Sequence, residues 1–263
     1  MLRRLALEEP PSRLAIWSRR LALFALVVAL IALIIVRGGF VEAIPGFVVL
    51  LGALTIAGAA ILSALGAFVV IWRNGNPGLG RALGGALIGI LLLAYPAFIG
   101  ARGYALPKLS DVTTDTADPP RFEAIARVRP REANPIAYPG PGAAQMQRTA
   151  YPDIAPLQLA ATPDEAYRGA LEVVKTRKWA VIDERSPQGG RRDGRIEAVA
   201  RTTIMGFRDD VVIRIRRSSD GAVIDIRSAS RYGQRDFGSN ARRIRSLVED
   251  IEEEVGNQPA TAR

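Results

Sequence analysis

Three long apolar runs occupy the first 101 residues, and they constrain the architecture more than any other feature of the chain. They cover residues 21–36, about 43–72 and 82 to about 101, and neither the second nor the third contains an Asp, Glu, Lys or Arg. A helix needs about 20 apolar residues to cross the hydrocarbon core, and flanking residues can lengthen the first run by a turn. The sequence therefore predicts a three-helix membrane anchor over residues 1–101.

The basic residues around these runs predict their orientation. Five arginines precede the first run, and Arg73 and Arg81 bound the loop between the second and third. The loop between the first and second runs contains only Arg37 and Glu42. Because cytoplasmic loops carry the excess of basic residues, we expect a cytoplasmic N-terminus. Three crossings then place the C-terminal half in the periplasm of a bacterium with an inner membrane.

Two features of the anchor allow alternative interpretations. Arg19 and Arg20 before the first run loosely resemble a twin-arginine signal, but no small-x-small cleavage site follows, so we favour an uncleaved anchor. Small residues recur at four-residue spacing, which favours close packing within the anchor over a dimer seam. These residues are Gly80, Gly84, Gly85 and Gly89, and also Ala59, Ser63 and Ala67.

The composition excludes several classes of chemistry. The chain contains no Cys and no His, so it has no thiolate nucleophile, no imidazole base, no disulfide and no conventional zinc site. We expect no cofactor. The net charge is +9, but eight basic and three acidic residues precede residue 100, which leaves a surplus of only four basic residues in the rest. Nucleic acid is therefore not an expected partner.

Residues 102–156 are rich in proline and show no helical or strand period. We predict a connector that is partly docked on the domain that follows, with Phe122, Ile125 and Tyr151 as contact points; the alternative is a disordered segment. Residues 257–263 are expected to form a disordered tail.

Residues 157–256 show the periodicity of an α+β domain. Thr162, Pro163 and Glu165 form the capping box of a helix, and a second helix ends the domain. Between and around them the alternation of apolar residues predicts strands at 157–161, 179–183, 195–207, 211–216 and 222–228. The order β-α-β-β-β-β-α is buried most simply as an antiparallel sheet with both helices on one face.

The other face of this sheet is expected to be charged. Alternation along the strands projects Arg214, Arg216, Asp225 and Arg227 away from the helices. We interpret them as a solvated strand face. The alternative is a docking surface for anionic lipid headgroups through the three arginines.

Four separated segments resemble domain-of-unknown-function family 1499. Two of them, IMGFRDDVVIRI (204–215) and IDIRSASRYGQRDFGSNARRI (224–244), resemble the central signature of that family. The other two, DVTTDTADPPRF (111–122) and YPDIAPL (151–157), resemble the lead-in of its membrane-anchored bacterial members. The resemblance covers about residues 111–255 and implies an α+β fold and an envelope setting. It implies no activity and no catalytic residue, and the Cys pairs of some relatives are missing here.

A cluster of polar residues is predicted where two connections reach the same edge of the sheet. Its members are Asp209, Asp210, Arg227, Ser230, Arg231, Asp236, Asn240, Arg242 and Arg243. Arg242 and Arg243 fall in the first turn of the last helix, where the helix dipole is unfavourable for cations, so an anion is expected nearby.

Three interpretations of this cluster are open, and we favour the first. Asp209 or Asp210 pairs with Arg231, Asp236 accepts backbone amides, and Ser239 or Asn240 caps the helix. In the second interpretation Arg231, Arg242 and Arg243 bind a phosphate or carboxylate of the envelope. In the third, the three aspartates hold a hard cation or act as acid and base in a hydrolase, although arginines beside carboxylates are expected to lower their pKa.

The sequence thus predicts a multi-pass inner-membrane protein whose periplasmic domain is a binding or structural module of the cell envelope rather than an enzyme. The bilayer is the expected partner of the three helices. An anionic envelope ligand or an envelope protein is the expected partner of the domain, and the sequence indicates no particular oligomeric state.

Overall fold

A computed structural model of the protein describes residues 10–187 and 192–257. The chain forms two compact units, one built from the three N-terminal helices and the other from a sheet and its helices. Two of the five N-terminal arginines, Arg3 and Arg4, lie outside the described residues, as does the predicted tail from residue 258 onward.

The first unit contains three helices at the three predicted positions. They are α1 (Arg13–Arg37), α2 (Ala43–Asn74) and α3 (Leu79–Tyr104). Each is long enough and apolar enough to cross a membrane, with mean hydropathies of 2.6, 2.4 and 2.1 over its most apolar window. Most of their large apolar side chains are exposed, as expected for helices whose solvent is lipid.

Helices α1 and α2 pack together along faces of small residues. The buried residues of α1 are Ala15, Ser18, Ala22, Ala25, Ala29, Ala32 and Val36, and those of α2 are Ala43, Gly46, Ala53, Ala57, Ala60, Ala64 and Ala67. Along α1 the spacing alternates between three and four residues, which keeps one narrow stripe on a single face. Small side chains let the two backbones approach closely, so packing contacts replace the hydrophobic effect that lipid does not supply.

Two of the glycines singled out in the sequence pack inside this unit. A Cβ atom added to Gly85 would lie 2.1 Å from Ser18 Oγ, and one added to Gly89 would lie 3.0 Å from the Ala57 carbonyl. These glycines therefore seat α3 against α1 and α2, which is the intramolecular packing favoured above. Gly80 and Gly84 face open space. The prediction for Ala59 was wrong, because Ala59 is exposed and the buried stripe of α2 runs through Ala57 and Ala60.

The second unit contains the predicted order of strands and helices. The elements are β2 (Leu157–Leu159), α6 (Pro163–Thr176), β3 (Ala180–Arg185), β4 (Gly194–Arg201), β5 (Arg208–Ser218), β6 (Gly221–Ser230) and α7 (Ser239–Asn257). A further short strand, β1 (Asp111–Thr113), joins them. The sheet is antiparallel in the order β1-β6-β5-β4-β3, and β2 pairs with the first half of β6 while β1 pairs with its second half.

Helices α6 and α7 cover one face of the sheet, as predicted. The apolar residues that alternate along β4, β5 and β6 meet the apolar stripes of the two helices in one core, which includes Ile196, Ile213, Ile226, Ala170 and Leu247. The capping box at the start of α6 is confirmed. Thr162 Oγ1 accepts a hydrogen bond from the Glu165 amide (3.2 Å), and the Glu165 carboxylate accepts one from the Thr162 amide (2.9 Å).

The opposite face of the sheet is covered by residues of the proline-rich part, 102–156, which was predicted to be a connector. Besides β1, this part contains α4 (Ile125–Val128) and α5 (Pro141–Ala150). We call residues 114–138 the covering segment. Its Phe122 and Ile125 pack on Val199, Val212 and Ala229 of the sheet. All three predicted contact points, Phe122, Ile125 and Tyr151, are buried.

Several strand boundaries differ from the predictions, and two of the differences affect the predicted polar cluster. Strand β4 ends at Arg201 rather than at residue 207, because the chain turns there: Thr202 and Phe207 exchange hydrogen bonds, and Gly206 adopts a φ of +62°. Strand β5 begins at Arg208, three residues earlier than predicted. Asp209 and Asp210 therefore lie within the sheet, opposite Ser230 and Ala229, and not in a connection.

Candidate functional site

The sheet divides the predicted polar cluster into two separate networks. Asp209 and Asp210 are consecutive residues of β5, so their side chains point to opposite faces. Asp209 shares the helix face with Ser230 and Asn240, whereas Asp210 faces the covering segment. The prediction that these residues form a single site was wrong, because they lie on opposite faces of the sheet.

Asn240 is the centre of the network on the helix face. Its side chain is fully buried, and its Oδ1 accepts hydrogen bonds from Ser228 Oγ (2.8 Å) and from Arg243 Nη1 (2.6 Å). Its Nδ2 donates to Ser230 Oγ (3.0 Å) and to the Ser110 carbonyl (3.1 Å). One amide thus joins the start of α7 to the end of β6 and to the residue before β1.

Asp236 caps α7, which corrects the prediction that Ser239 or Asn240 would do so. Its two carboxylate oxygens accept hydrogen bonds from the Gly238 amide (2.9 Å) and the Asn240 amide (2.8 Å). This carboxylate satisfies free amides and places a negative charge at the positive end of the helix. Burial raises the pKa of Asp236, against the lowering expected from the sequence.

The arginines in the first turns of α7 all have partners within the second unit. Arg243 forms an ion pair with Asp209, which is 2% exposed. Arg242 is exposed and donates only to the carbonyl of Phe237 (3.1 Å) among the contacts described. The next arginine, Arg245, donates to Asp153 (2.9 Å). Internal anions and dipoles therefore offset the positive charge at this helix terminus.

Arg227 is the most completely bound side chain on the opposite face. It is 2% exposed and forms a two-pronged ion pair with Asp111, with Nε 2.9 Å from one oxygen and Nη2 2.6 Å from the other. Its remaining donors reach the carbonyls of Pro120 (3.1 Å) and Ile136 (2.9 Å), and its guanidinium lies over the Phe122 ring. Arg227 therefore ties the covering segment to the sheet.

The expectation of a solvated face, or of a lipid-docking face, was wrong for this side of the sheet. Asp225 is fully buried and accepts hydrogen bonds from Arg214 Nε (3.0 Å) and Arg216 Nε (2.8 Å). Arg214 also pairs with Asp118 (2.7 Å) in the covering segment. The register of β5 and β6 places Asp225 beside both arginines, and the covering segment adds Asp118 over Arg214.

Asp210 lies between two arginines beneath the covering segment. Arg231 approaches one of its oxygens with Nε (2.8 Å) and Nη2 (2.7 Å). Arg129 approaches the other oxygen with Nε at 3.4 Å, without the alignment of a hydrogen bond. The Arg129 side chain is 5% exposed, and neither its Nε nor its Nη1 donates a hydrogen bond to any described residue.

Burial governs the pKa values of these groups. It raises the pKa of Asp210 and of Asp111, and the arginines beside them oppose the effect. Burial also lowers the pKa of Arg129, and the nearby charge of Arg231 acts in the same direction. A lowered pKa is expected for an aspartate beside arginines at an exposed edge, where desolvation is small. That expectation was wrong for Asp210 and Asp236, because both carboxyls are buried.

The aspartates do not converge on a common point. Asp209 pairs with Arg243, Asp210 with Arg231, and Asp236 with two backbone amides. Within residues 10–187 and 192–257, no group of three or more acidic side chains is arranged to hold a metal ion.

Several residues of these networks were not singled out in the sequence, and three of them hold the proline-rich part to the sheet. Asp111 and Arg129 belong to the proline-rich part, and Glu197 lies on β4. The fully buried Glu197 carboxylate accepts hydrogen bonds from the Glu123 amide (2.7 Å) and the Ile125 amide (2.8 Å), and so holds the start of α4. The one available signal was at Asp111, the first residue of the stretch DVTTDTADPPRF that resembles the lead-in of the family.

The comparisons with known proteins concern the second unit. A family model described as "Protein of unknown function (DUF1499)" matches residues 111–251, just over half of the chain. No curated protein and no solved structure matches the chain. The matched range begins at Asp111 and ends at Ile251, so it contains both buried networks and the whole sheet. The chain therefore belongs to the DUF1499 family.

Proposed function

We propose that this protein is an inner-membrane protein whose C-terminal domain lies in the periplasm and serves as a binding or structural module of the cell envelope. The three apolar helices support membrane insertion. The arginine excess before the first apolar run and between the second and third runs, set against the single Arg37 and Glu42 between the first and second, supports a cytoplasmic N-terminus. An odd number of crossings then places the domain on the other side.

The observation that carries the module role is the internal pairing of the charged side chains. Arg227, Arg231 and Arg243 each bind a buried aspartate, and the aspartates that resemble catalytic groups are bound by arginines or backbone amides. Paired and desolvated charges of this kind hold segments of chain together. A general base or a nucleophile needs an accessible site beside the substrate, and these carboxylates lie inside the fold.

Single cysteines provide the test of topology, because the native chain contains none. Ser219→Cys places a thiol at the exposed turn between β5 and β6, and Asn74→Cys places one at the exposed end of α2. In cells with a permeabilised outer membrane, a membrane-impermeant maleimide should label Ser219→Cys at once and Asn74→Cys only after lysis. The reverse pattern would put the domain in the cytoplasm and overturn the envelope role.

Substitution of Arg231 tests the module role. If the pairing is structural, Arg231→Gln should lower the melting temperature of the full-length protein in detergent, because it leaves Asp210 buried with one arginine at 3.4 Å. The exposed Arg217→Gln is the matched control and should leave the melting temperature unchanged. An unchanged melting temperature for Arg231→Gln would argue that this arginine is kept for a ligand.

A second candidate function is the binding of a small anion beside Arg129. The guanidinium of Arg129 is buried, and two of its donors bind no described residue. In the same group three arginines, Arg129, Arg227 and Arg231, face two aspartates, Asp111 and Asp210. An anion that reaches this guanidinium would balance the excess charge and accept the free donors. The anion would bind Arg129, whereas the sequence suggested Arg231, Arg242 and Arg243 as its ligands.

Inorganic phosphate is a suitable probe for this second candidate. Millimolar phosphate at constant ionic strength should raise the melting temperature of the native protein and of Arg127→Gln, whose arginine is exposed two residues away. The same addition should have no effect on Arg129→Gln. Equal stabilisation of all three proteins, or of none, would exclude an anion site at Arg129.

A further inference from the structure

Helices α1 and α3 present their N-terminal ends at the same side of the anchor. The Ser12 amide donates to the Pro77 carbonyl (3.0 Å), which joins the residue before α1 to the loop before α3. Farther along, the Cα of Gly85 packs against Ser18. The two helices therefore run in the same direction, side by side, and the residues at the start of each lie at one surface of the membrane.

A pocket of about 370 Å³ opens at this end. Its lining consists of Pro11, Ile16, Arg19, Arg20, Leu23 and Arg81. Half of these side chains are arginines, two from α1 and one from the first turn of α3. In residues 10–187 and 192–257 none of the three guanidiniums forms an ion pair, and the one contact described is Arg20 over the Trp17 ring at 6.0 Å. The pocket therefore combines three positive charges, which have no ion-pair partner among the described residues, with the apolar side chains of Ile16 and Leu23.

The depth of the pocket matches the headgroup layer. Arg19 and Arg20 immediately precede the unbroken apolar run at residues 21–36, and Arg81 immediately precedes the apolar run that begins at residue 82. Trp17 is 54% exposed at the same level, the position that tryptophan favours at a membrane interface. A phosphate bound here would lie at the height of lipid phosphates, with acyl chains running along the exposed leucines of the helices.

We propose that Arg19, Arg20 and Arg81 form a binding site for the phosphate of an anionic phospholipid. Guanidinium groups bind phosphate oxygens with two parallel hydrogen bonds, and basic pockets between transmembrane helices recognise acidic headgroups. Three positive charges exceed what a zwitterionic headgroup can neutralise, so the site selects lipids with a net negative charge. This site belongs to the anchor, and it does not depend on which side of the membrane the C-terminal domain occupies.

The test uses the full-length protein in a neutral detergent, with bound lipid counted by native mass spectrometry. Phosphatidylglycerol should be retained in preference to phosphatidylcholine when both are offered at equal concentration. Arg19→Gln and Arg81→Gln should each weaken phosphatidylglycerol binding about fivefold, and the double variant more. Arg13→Gln, whose exposed arginine is in the same helix but outside the pocket, is the matched control and should retain native binding.

Three outcomes would overturn the proposal. Equal retention of the two lipids by the native protein would remove the selectivity, and this measurement does not depend on any variant folding. Equal losses in Arg13→Gln and Arg81→Gln would show general surface attraction without a site. Loss of the bound phosphatidylglycerol when millimolar inorganic phosphate is added at constant ionic strength would make the ligand of this pocket a soluble anion and not a lipid.

Discussion

Arg227 on β6 and Asp111 on β1 form a buried ion pair between residues 116 positions apart in the chain, with Nη2 of the arginine 2.6 Å from the carboxylate. The two residues lie near the edge where β1 pairs with β6, Asp111 opposite Ala229 and Thr113 opposite Arg227. The pair therefore fastens the beginning of the domain to its last strand.

Breaking this pair should destabilise the domain strongly. Asp111→Asn leaves a buried guanidinium without its counter-charge, and removal of one partner of such a pair costs about 3–5 kcal/mol. The melting temperature of the full-length protein, followed by near-UV circular dichroism, measures the effect. Glu172 is exposed, so Glu172→Gln should change the free energy of unfolding by no more than about 0.5 kcal/mol and leave the melting temperature close to that of the native protein. Equal shifts in the two variants would contradict the assigned role of Asp111.

The same substitution at two neighbouring arginines of α7 should destabilise the protein to very different extents. Arg243→Gln leaves Asp209 buried and unpaired, and should destabilise the protein by about 3 kcal/mol. Arg242→Gln removes an exposed side chain that donates to one carbonyl, and should cost less than about 0.5 kcal/mol. Urea unfolding of both variants under one set of conditions gives the comparison. A larger effect for Arg242 would mean that an external partner binds it.

The Glu197 carboxylate should stabilise the start of α4 within the covering segment. Glu197→Gln replaces one of the two acceptor oxygens, which now bind the amides of Glu123 and Ile125, with an amide donor. We expect a loss of about 1–3 kcal/mol and faster hydrogen exchange in peptides spanning residues 121–129. Peptides from α6 should exchange at the native rate. Uniform acceleration throughout the domain would indicate global destabilisation instead.

The phenol of Tyr138 should ionise only at high pH. Burial and the nearby Asp111 charge raise the pKa of Tyr138 to about 12. Because the folded state holds this proton more tightly than the unfolded chain does, the contribution of Tyr138 to stability is complete below about pH 10 and declines as the pH rises towards 12. Absorbance at 295 nm should show a late ionisation step that disappears in Tyr138→Phe and persists in Tyr232→Phe. Persistence of that step in Tyr138→Phe would assign it to another residue.

The local patterns of the sequence predicted the elements well. Apolar residues alternate along β5 and β6 and recur with the helical period along α7, and the core contains Val211, Ile213, Ile226, Ile244 and Leu247. These predictions succeeded because a strand or a helix that buries one face must repeat its apolar residues with its own period. The length of an apolar run likewise determines whether it can cross a membrane.

The two buried networks could not be predicted in the same way. Asp209 and Asp210 are adjacent in sequence, and only the register of β5 assigns one to α7 and the other to the covering segment. Arg214 and Arg227 alternate like solvent-facing residues, because periodicity reports which face a side chain is on and not what covers that face. The covering segment has no period that would indicate where it packs.

The sequence alone therefore determined the three apolar helices, the order of strands and helices, and the face of the sheet that α6 and α7 bury. The tertiary structure decided which charges are exposed, because Asp111 and Glu197 meet their partners only when distant parts of the chain are packed together. Short-range periodicity depends on the geometry of one element. Pairing between buried charges depends on contacts among elements, and desolvation by those contacts determines which groups must be paired.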